Sequence, residues 1–424
     1  MEYSPRFRAF PTTEQRESLD WTRDIVRQVY NHALHEFNKI PEIEGTLRQR
    51  VWQVRDTLPN LKQWWTDLNK VYSTVLQKAV ERIRTNINNL GKLKAKGYDV
   101  GSLNWKAPRE YRSFTYRQSG FELDKKSGPR DRAILRLKKV RGETLEIPIR
   151  LHRDLPGHDA IKEVTVKKEP TGAWYASFCI STDEPEKPEP EDIDSEDTVG
   201  LDLGVLNFIH DSKGRSIDRL DLSDERERLE REQRSLSRKQ YESRNWEVQR
   251  QCVAEVHARM SNKKRDYKHK IAHFYATTYD AVFVENLNVK SLLESGGNAR
   301  NKHEVGWSDF RQILEHHCDK HGTHYVEVPA QGTTIECAKC GCESEKPLWV
   351  REHSCPSCGF ELDRDWNAAL NVKSRGLSEL GVVHSKATPV ETATAVDTLS
   401  VSASRVVEAG SSVLKERTAQ AVSE

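Results

Sequence analysis

Two cysteine pairs, Cys337-x2-Cys340 and Cys355-x2-Cys358, stand 14 residues apart and constrain this chain more than any other feature. Each pair can grip one side of a metal ion from a tight knuckle, and four thiolates complete a closed tetrahedral zinc site. Gly341 and Gly359 directly follow the second cysteine of each pair, where the chain must turn sharply. Five of the eight cysteines fall within 22 residues of a 424-residue chain. Such a cluster reads as metal binding rather than as a spread disulfide framework. The spacing predicts one structural Zn²⁺ held by Cys337, Cys340, Cys355 and Cys358. Cys342 sits too close to Cys340 to be the fourth ligand, and His353 is the competitor for a place. Cys179, Cys252 and Cys318 read as inert thiols.

The hydrophobic period divides the rest of the chain. Thr12 and Gln15 can form a capping box. Ile25, Val26, Val29, Tyr30, Ala33, Leu34 and Phe37 then recur at helical spacing until the PEIEG break at Pro41–Gly45. A longer helix is predicted from near Pro59, carrying Leu61, Trp65, Leu68, Tyr72, Val75, Ala79, Ile83 and Ile87. From about Arg112 the period changes to two in SFTYR, AILRLKKV, LEIPIRL, IKEVTVKKE and WYASFCI, with turns at GPRD, RGET and PTGAW. This predicts a small antiparallel barrel or sheet ending at Ile180. The segment DEPEKPEPEDIDSED is too acidic and proline-rich to bury a core and reads as a linker. A second domain begins at Thr198. It has a strand at VGLDLGVLNFIH and a possible returning strand at SIDRL. One long helical hairpin or two helices are expected over 224–270, then strands at DAVFVENL and THYVEVPA around the helix FRQILEHHCDKHG. RDWNAALNVKSRGL after the cysteines reads as helix. The tail beyond Gly381 is expected to pack poorly, with a short helix possible near Ser402–Lys415.

Several acidic residues stand in odd places. Asp202 lies inside the apolar run GLDLGV, where a lone carboxylate costs heavily unless it is paired or binds a metal. Leu201 and Leu203 should point to one face, Asp202 and Gly204 to the other, with Gly204 keeping that side open. Glu285 ends another apolar strand, AVFVEN, and Asp363 and Asp365 flank Arg364 at a helix start. Taken singly, the last two could be helix caps and Glu285 a solvated strand end. Together, a strand carboxylate, a strand-end carboxylate and a helix-start carboxylate can converge at one edge of a mixed sheet. Three hard oxygen donors suit Mg²⁺ or Mn²⁺. Two such ions could activate water and stabilise the leaving oxygen of a phosphodiester.

The succession GLDLGV, VFVENL and CAKCG…CPSCGFELDRDWNAALNV resembles the TnpB (OrfB) family of IS200/IS605-type transposons, which is related to the Cas12 effectors. FPTTEQ, SFTYR, RLHRDLPG, TGAWYASF, NKKRDYKHK and GWSDF match family wording in the same order, so the resemblance runs from about Tyr3 to Val372. It implies an RNA-guided, Mg²⁺-dependent DNA endonuclease encoded by a transposable element, with Asp202, Glu285 and Asp365 as catalytic trio and holders of two Mg²⁺ or Mn²⁺ ions. Asp363 and Arg364 would then be supporting residues. The implied fold is multidomain α+β: an N-terminal helical insert plus antiparallel β-barrel (the wedge), then an RNase H-like, RuvC-type α/β domain with an inserted four-cysteine zinc ribbon. The expected boundaries are residues 1–180 for the first domain, with its helical part about 11–95 and its β-rich part about 98–180. An acidic linker 181–197 follows, then the nuclease domain 198–376, the zinc ribbon 333–362 within it, and a poorly ordered tail 377–424. Family wording before the first knuckle includes Thr-Ser-Gln, whereas this chain has Thr333, Thr334 and Ile335. That departure leaves one polar contact in question.

Net charge is only +2, so the partners are read from the distribution of charge. From Lys78 to Arg153 there are 20 Lys/Arg against 8 Asp/Glu, and from Asp183 to Asp197 there are 9 acidic residues against one lysine. A basic block of this kind is either a solvated face or a groove for a phosphate backbone. On the family reading the partners are a guide RNA and double-stranded and unwound target DNA, with sequence choice largely delegated to base pairing. Lys92, Lys94, Lys96, Arg109, Arg112 and Arg117 are the candidate backbone contacts, with Arg150, His152 and Arg153 as further ones. No run of about 18 apolar residues occurs and the opening MEYSPRFRAFPTTEQ has no apolar leader. A cytoplasmic protein with no membrane partner is expected. Two other readings stay open: a non-catalytic DNA-binding accessory protein of transposition, and a transposase that performs strand transfer itself.

Overall fold

The computed structural model describes residues 1–125, 132–287, 305–345, 347 and 350–382. The GPRD turn lies outside these residues, and so does the tail from residue 383 onward, including the expected Ser402–Lys415 helix. The chain divides into two compact units, Met1–Thr182 with Arg238–Glu255, and Asp183–Ser237 with Val256–Glu424.

The first unit is an antiparallel sheet of eight strands: β1 (Glu2–Tyr3), β2 (Arg6–Ala9), β3 (Ser113–Arg117), β4 (Phe121–Asp124), β5 (Arg132–Val140), β6 (Glu143–Arg150), β7 (Ile161–Lys168) and β8 (Trp174–Ser181). Their order is β3-β7-β8-β2-β6-β5-β4, with β1 on β8. The two end strands of that path, β3 and β4, are consecutive in the chain and joined by one 3-10 turn at Gln118–Gly120. The sheet therefore curls back on itself into a nearly closed barrel. Strict alternation supplies its interior: Trp174, Ala176, Phe178 and Ile180 of β8 are buried, and the β8 residues between them are not.

The barrel begins earlier than the period-two runs suggest, because β1 and β2 precede all the helices. β2 pairs with β6 and β8, partners about 140 to 170 residues away, a relationship that local periodicity does not carry. Four helices are inserted between β2 and β3: α1 (Thr13–Lys39), α2 (Leu47–Asp56), α3 (Leu58–Trp64) and α4 (Ser73–Ala95). Thr12 and Gln15 form the expected capping box on α1. A second box, Thr46 with Gln49, starts α2, which the sequence reading did not separate. The single helix expected from Pro59 is broken. Trp65 leaves helical geometry, a 3-10 turn covers Thr66–Lys70, and α4 starts only at Ser73. Residues 98–112 form no strand, so the β-rich part resumes at Ser113. Helices and barrel share one core.

The second unit is built on a five-stranded sheet: β9 (Thr198–Leu203), β10 (Asn207–Asp211), β11 (Ser216–Asp218), β12 (Ala281–Asn286) and β13 (His324–Pro329), in the order β11-β10-β9-β12-β13. β10 is antiparallel to β9, whereas β12 is parallel to both β9 and β13. This is the order and sense of an RNase H-type sheet. α5 (Ser223–Ser237) and α6 (Arg244–Thr278) connect β11 to β12, and α7 (Trp307–His321) precedes β13. The small hairpin β14 (Glu352–Ser354) and β15 (Glu361–Asp363) belongs to the cysteine module, and α8 (Arg364–Leu380) follows it.

Every residue of the central strand β9 is buried, because the sheet is covered on both faces. α8 covers one of them. A Cβ on Gly200 would meet the Ala369 carbonyl at 2.4 Å and one on Gly376 would meet the Phe283 ring at 2.1 Å, so both glycines are demanded by close approach. Gly204 has another role than the expected open side: its missing Cβ makes room for the Asn207 carbonyl, 2.6 Å away, in the turn into β10. The acidic segment before β9 is largely exposed and is anchored at a few points. Ile193 is buried against Phe283 and Val328, Lys187 pairs with Asp319 at 3.0 Å, and the Pro188 carbonyl lies 2.7 Å from His324 Nε2. α8 runs past residue 376, and Leu377 and Val382 belong to the core.

Candidate carboxylate centre and cysteine module

Asp202 sits on β9 and Glu285 on β12, two adjacent parallel strands. Their carboxyl groups share a hydrogen bond, and Asp365 in the first turn of α8 is close enough to act on both electrostatically. All three side chains are buried although they are ionisable. Burial raises the Asp202 carboxyl well above its usual range, and the negative neighbours Glu285 and Asp365 push it further. Glu285 is also raised, first by burial, while hydrogen bonds from Thr333 and Asp202 pull it back. The sheet thus brings together the three carboxylates that the sequence reading singled out.

Asp365 is placed by the helix start itself. Asp363 caps α8, its Oδ1 accepting from the backbone N–H of Asp365 at 2.9 Å and of Trp366 at 3.1 Å. Arg364 donates to Asp365 Oδ1 at 3.2 Å and Arg351 to Oδ2, so both oxygens face guanidinium groups. His210 is the register partner of Asp202 on β10, and its Nδ1 lies 3.8 Å from Asp363 Oδ1. One nitrogen or oxygen from each of His210, Asp363 and Asp365 lies within 4.8 Å of the others. The sequence reading missed Arg351, His210 and Thr333. The Thr333 hydroxyl donates to Glu285 Oε1 at 2.6 Å.

The four cysteines meet as their spacing requires. Cys337 and Cys358 Sγ are 3.7 Å apart, Cys340 and Cys355 Sγ 3.5 Å, and all four lie within 4.8 Å of one another. Thiolates tetrahedrally bound at ~2.3 Å stand about 3.8 Å apart, so the set fits a zinc ion. The two knuckles repeat one another. Gly341 N–H donates to the Cys337 carbonyl at 2.8 Å and Gly359 N–H to the Cys355 carbonyl at 3.0 Å, both glycines at positive φ. Backbone N–H groups of Cys358 and Ser357 pull the Cys355 thiol down, whereas burial raises Cys337 and hydrogen bonds among the thiols raise Cys340, the opposed shifts of four sulfurs crowded together. Cys342 Sγ turns to the Glu343 carbonyl, and neither it nor the buried His353 is in the cluster.

α8 bolts this module to the sheet. Asn367 accepts from Ala338 N–H at 3.0 Å and donates to the Glu336 carbonyl at 2.7 Å. Asn371 donates to the Thr333 and Glu336 carbonyls, and Arg375 to Pro329, Gln331 and the Glu336 carboxylate. Both asparagines are buried, and their amides satisfy backbone that the module would otherwise leave orphaned.

The candidate basic contacts are spread over the first unit. Lys92, Lys94 and Lys96 are exposed at the end of α4. Arg109 lies 3.9 Å from Glu247 and over the Trp246 ring, and Arg112 donates to the Arg109 carbonyl. Arg117 is committed to Glu81, whose two carboxylate oxygens it reaches at 2.8 and 2.9 Å. Arg150 ends β6 on the surface, and Arg153 donates to His152 Nε2 at 3.2 Å.

An RNase H-type sheet with three buried carboxylates and an inserted four-cysteine module defines the class. Comparison with known proteins narrows it. Residues 177–296 match the OrfB_IS605 profile, described as a probable transposase, and residues 307–372 match the TNB domain of Cas12f1-like proteins. Residues 1–40 match a profile described as a helix-turn-helix domain of OrfB_IS605, although here they form β1, β2 and the single helix α1. A putative RNA-guided DNA endonuclease of Streptomyces pristinaespiralis is 30% identical over 392 residues, covering 88% of this chain and 89% of the relative. The putative RNA-guided DNA endonuclease InsQ of Escherichia coli K12 is 28% identical, covering 51% of this chain and 57% of InsQ. The protein in a cryo-EM structure of a Cas12f1–sgRNA–target DNA complex shares the fold, with a TM-score of 0.56 at 15% identity over 85% of this chain and 83% of that one. The chain belongs to the TnpB (OrfB) family of IS605-type transposons. None of its described helices is long and apolar enough to cross a membrane.

Proposed function

We propose that this protein is an RNA-guided DNA endonuclease of an IS605-type element. In this reading Asp202, Glu285 and Asp365 hold two Mg²⁺ or Mn²⁺ ions, and the four cysteines hold one structural Zn²⁺. The observation that carries it is the burial of three carboxylates against one another at the C-terminal ends of the two inner strands β9 and β12. Such an arrangement is costly for the bare protein and suits hard cations. The names of the Streptomyces and Escherichia relatives support the same activity.

The residues divide the work by position. Asp202 and Glu285 present oxygens from adjacent strands, and Asp365 presents one from the helix. Bound divalent ions would supply a nucleophilic water at neutral pH and charge neutralisation on the leaving oxygen. Thr333 fixes one oxygen of Glu285 and leaves the other for a ligand. Asp363 holds the start of α8 and hence the height of Asp365. The cysteine module contributes Arg351, a positive group beside the third carboxylate, rather than chemistry of its own. The basic surface of the first unit, Lys92, Lys94 and Lys96 above all, would meet the phosphate backbone of guide RNA and target duplex.

The test is reconstitution. RNA that co-purifies with the protein is sequenced, and DNA carrying or lacking the matching sequence is offered with Mg²⁺. Breaks only in matching DNA support the reading. Equal cutting of both, or none with the RNA bound, would contradict it, and joined DNA ends would favour the strand-transfer reading instead.

A further inference from the structure

We propose that His273 on α6 and His317 and His321 on α7 form a second metal site, separate from the cysteines and the carboxylates, that takes a divalent transition ion such as Zn²⁺, Ni²⁺ or Co²⁺. The sequence sets it up twice. His269 and His273 are four residues apart on α6, and His317 and His321 are four apart on α7. Four-residue spacing puts each pair on one helix face. The helices bring the two faces together, with ring centroids of His273 and His317 at 5.8 Å, His273 and His321 at 5.2 Å, and His317 and His321 at 6.2 Å. One ring nitrogen from each of the three lies within 4.8 Å of the others.

His317 is the pivot. Its Nε2 lies 3.0 Å from His269 Nδ1, while its Nδ1 is buried and has no hydrogen-bond partner among the described residues. A buried ring nitrogen without a partner is rare and needs a reason. A metal on Nδ1 supplies one, and His269 then becomes the outer partner that fixes ring orientation and tautomer. Burial holds His317 down to about 3, so its lone pair is available at neutral pH. Three imidazoles with no carboxylate among them select borderline ions over Mg²⁺. Tetrahedral bonds of ~2.0–2.1 Å place ligand nitrogens about 3.3 Å apart, and His273 is exposed and free to close that gap. The helix pair is already fixed next to the site: buried Lys268 reaches the Gly306 carbonyl and Asp309, each at 2.9 Å. An ion there would clip α6 to α7 with little reorganisation.

The experiment uses untagged full-length protein with zinc kept in the cysteine module. It is titrated with Ni²⁺ by calorimetry, with melting curves and zinc content measured in parallel. Wild type should bind one equivalent of Ni²⁺ more than the His273→Gln/His321→Gln double variant, with equal zinc in both, and only wild type should gain melting temperature on adding Ni²⁺. His269→Ala should retain the equivalent with affinity weakened by about tenfold. His273→Gln alone, at an exposed position, should weaken it by at least about tenfold and serves if the double variant does not fold. Equal Ni²⁺ stoichiometry in wild type and the double variant, unweakened binding by His273→Gln, or no Ni²⁺ bound without loss of zinc, would overturn the proposal.

Discussion

The Thr333 hydroxyl donates to Glu285 Oε1 at 2.6 Å, which ties the end of strand β12 to the first residue of the cysteine module region. Thr333 itself is buried, so no water can replace the donor freely. Thr333→Val should cost ~1.5–3 kcal/mol, as expected for a hydrogen bond to a charged group. Thermal melts should show the loss, and initial cutting rates should fall with it. Thr333→Ser should keep both near wild type.

Asp202 and Glu285 make stability depend on pH in a defined sense. Both carboxyls are raised in the folded chain, so above the ordinary carboxylate range the folded state holds more protons than the unfolded one. Stability of the protein in buffer free of divalent ions should therefore fall as pH rises from about 4 through the raised folded values. Asp202→Asn removes one charge and the repulsion. It should flatten that slope and stabilise the protein at neutral pH by about 1 kcal/mol, roughly 2–4 °C in melting temperature, while losing activity.

Arg351 occupies Asp365 Oδ2 where a metal would compete for the same oxygen. Arg351→Gln should lower the Mg²⁺ concentration needed for half-maximal cutting, by roughly threefold to tenfold for a pair worth about 1 kcal/mol. A Mg²⁺ titration of initial rates reads this directly. A raised requirement would instead give the guanidinium a role on the nucleic acid.

Gly376 lets α8 lie on the sheet. A Cβ there would stand 2.1 Å from the Phe283 ring, which is itself fully buried. Gly376→Ala should destabilise the second unit by ~1–3 kcal/mol through overpacking, and it should reduce cutting by shifting Asp365 away from the sheet. Denaturant melts of the two variants side by side would check it, with Gly381→Ala as a control beside open space but at positive φ.

Some of this was legible in the chain and some was not, for physical reasons. The knuckles are local: spacing and the glycines at positions 341 and 359 settle their shape, and the sulfurs meet accordingly. Asp202 was legible because a charge inside an apolar strand demands an explanation, and the α1 capping box because it spans only four residues. The break between α3 and α4 was hidden because Leu61, Trp65, Leu68 and Tyr72 keep an approximately helical spacing through it. The pairing of β2 with β6 and β8, and the placing of Thr333 and Arg351 on Glu285 and Asp365, depend on chain closure over long separations. The histidines of α6 and α7 look like a solvated helix face until the two helices are set together.

The account rests on the three carboxylates acting as one metal-holding centre. The direct measurement is cutting of matching DNA in Mg²⁺ by wild type and by Asp202→Ala, Glu285→Ala and Asp365→Ala, each loaded with the same co-purified RNA. The account predicts that every variant binds the RNA as wild type does and that each loses cutting by at least about a thousandfold, on the scale of removing a principal catalytic group. Cutting that persists near the wild-type rate in any one of them, with RNA bound, would contradict it.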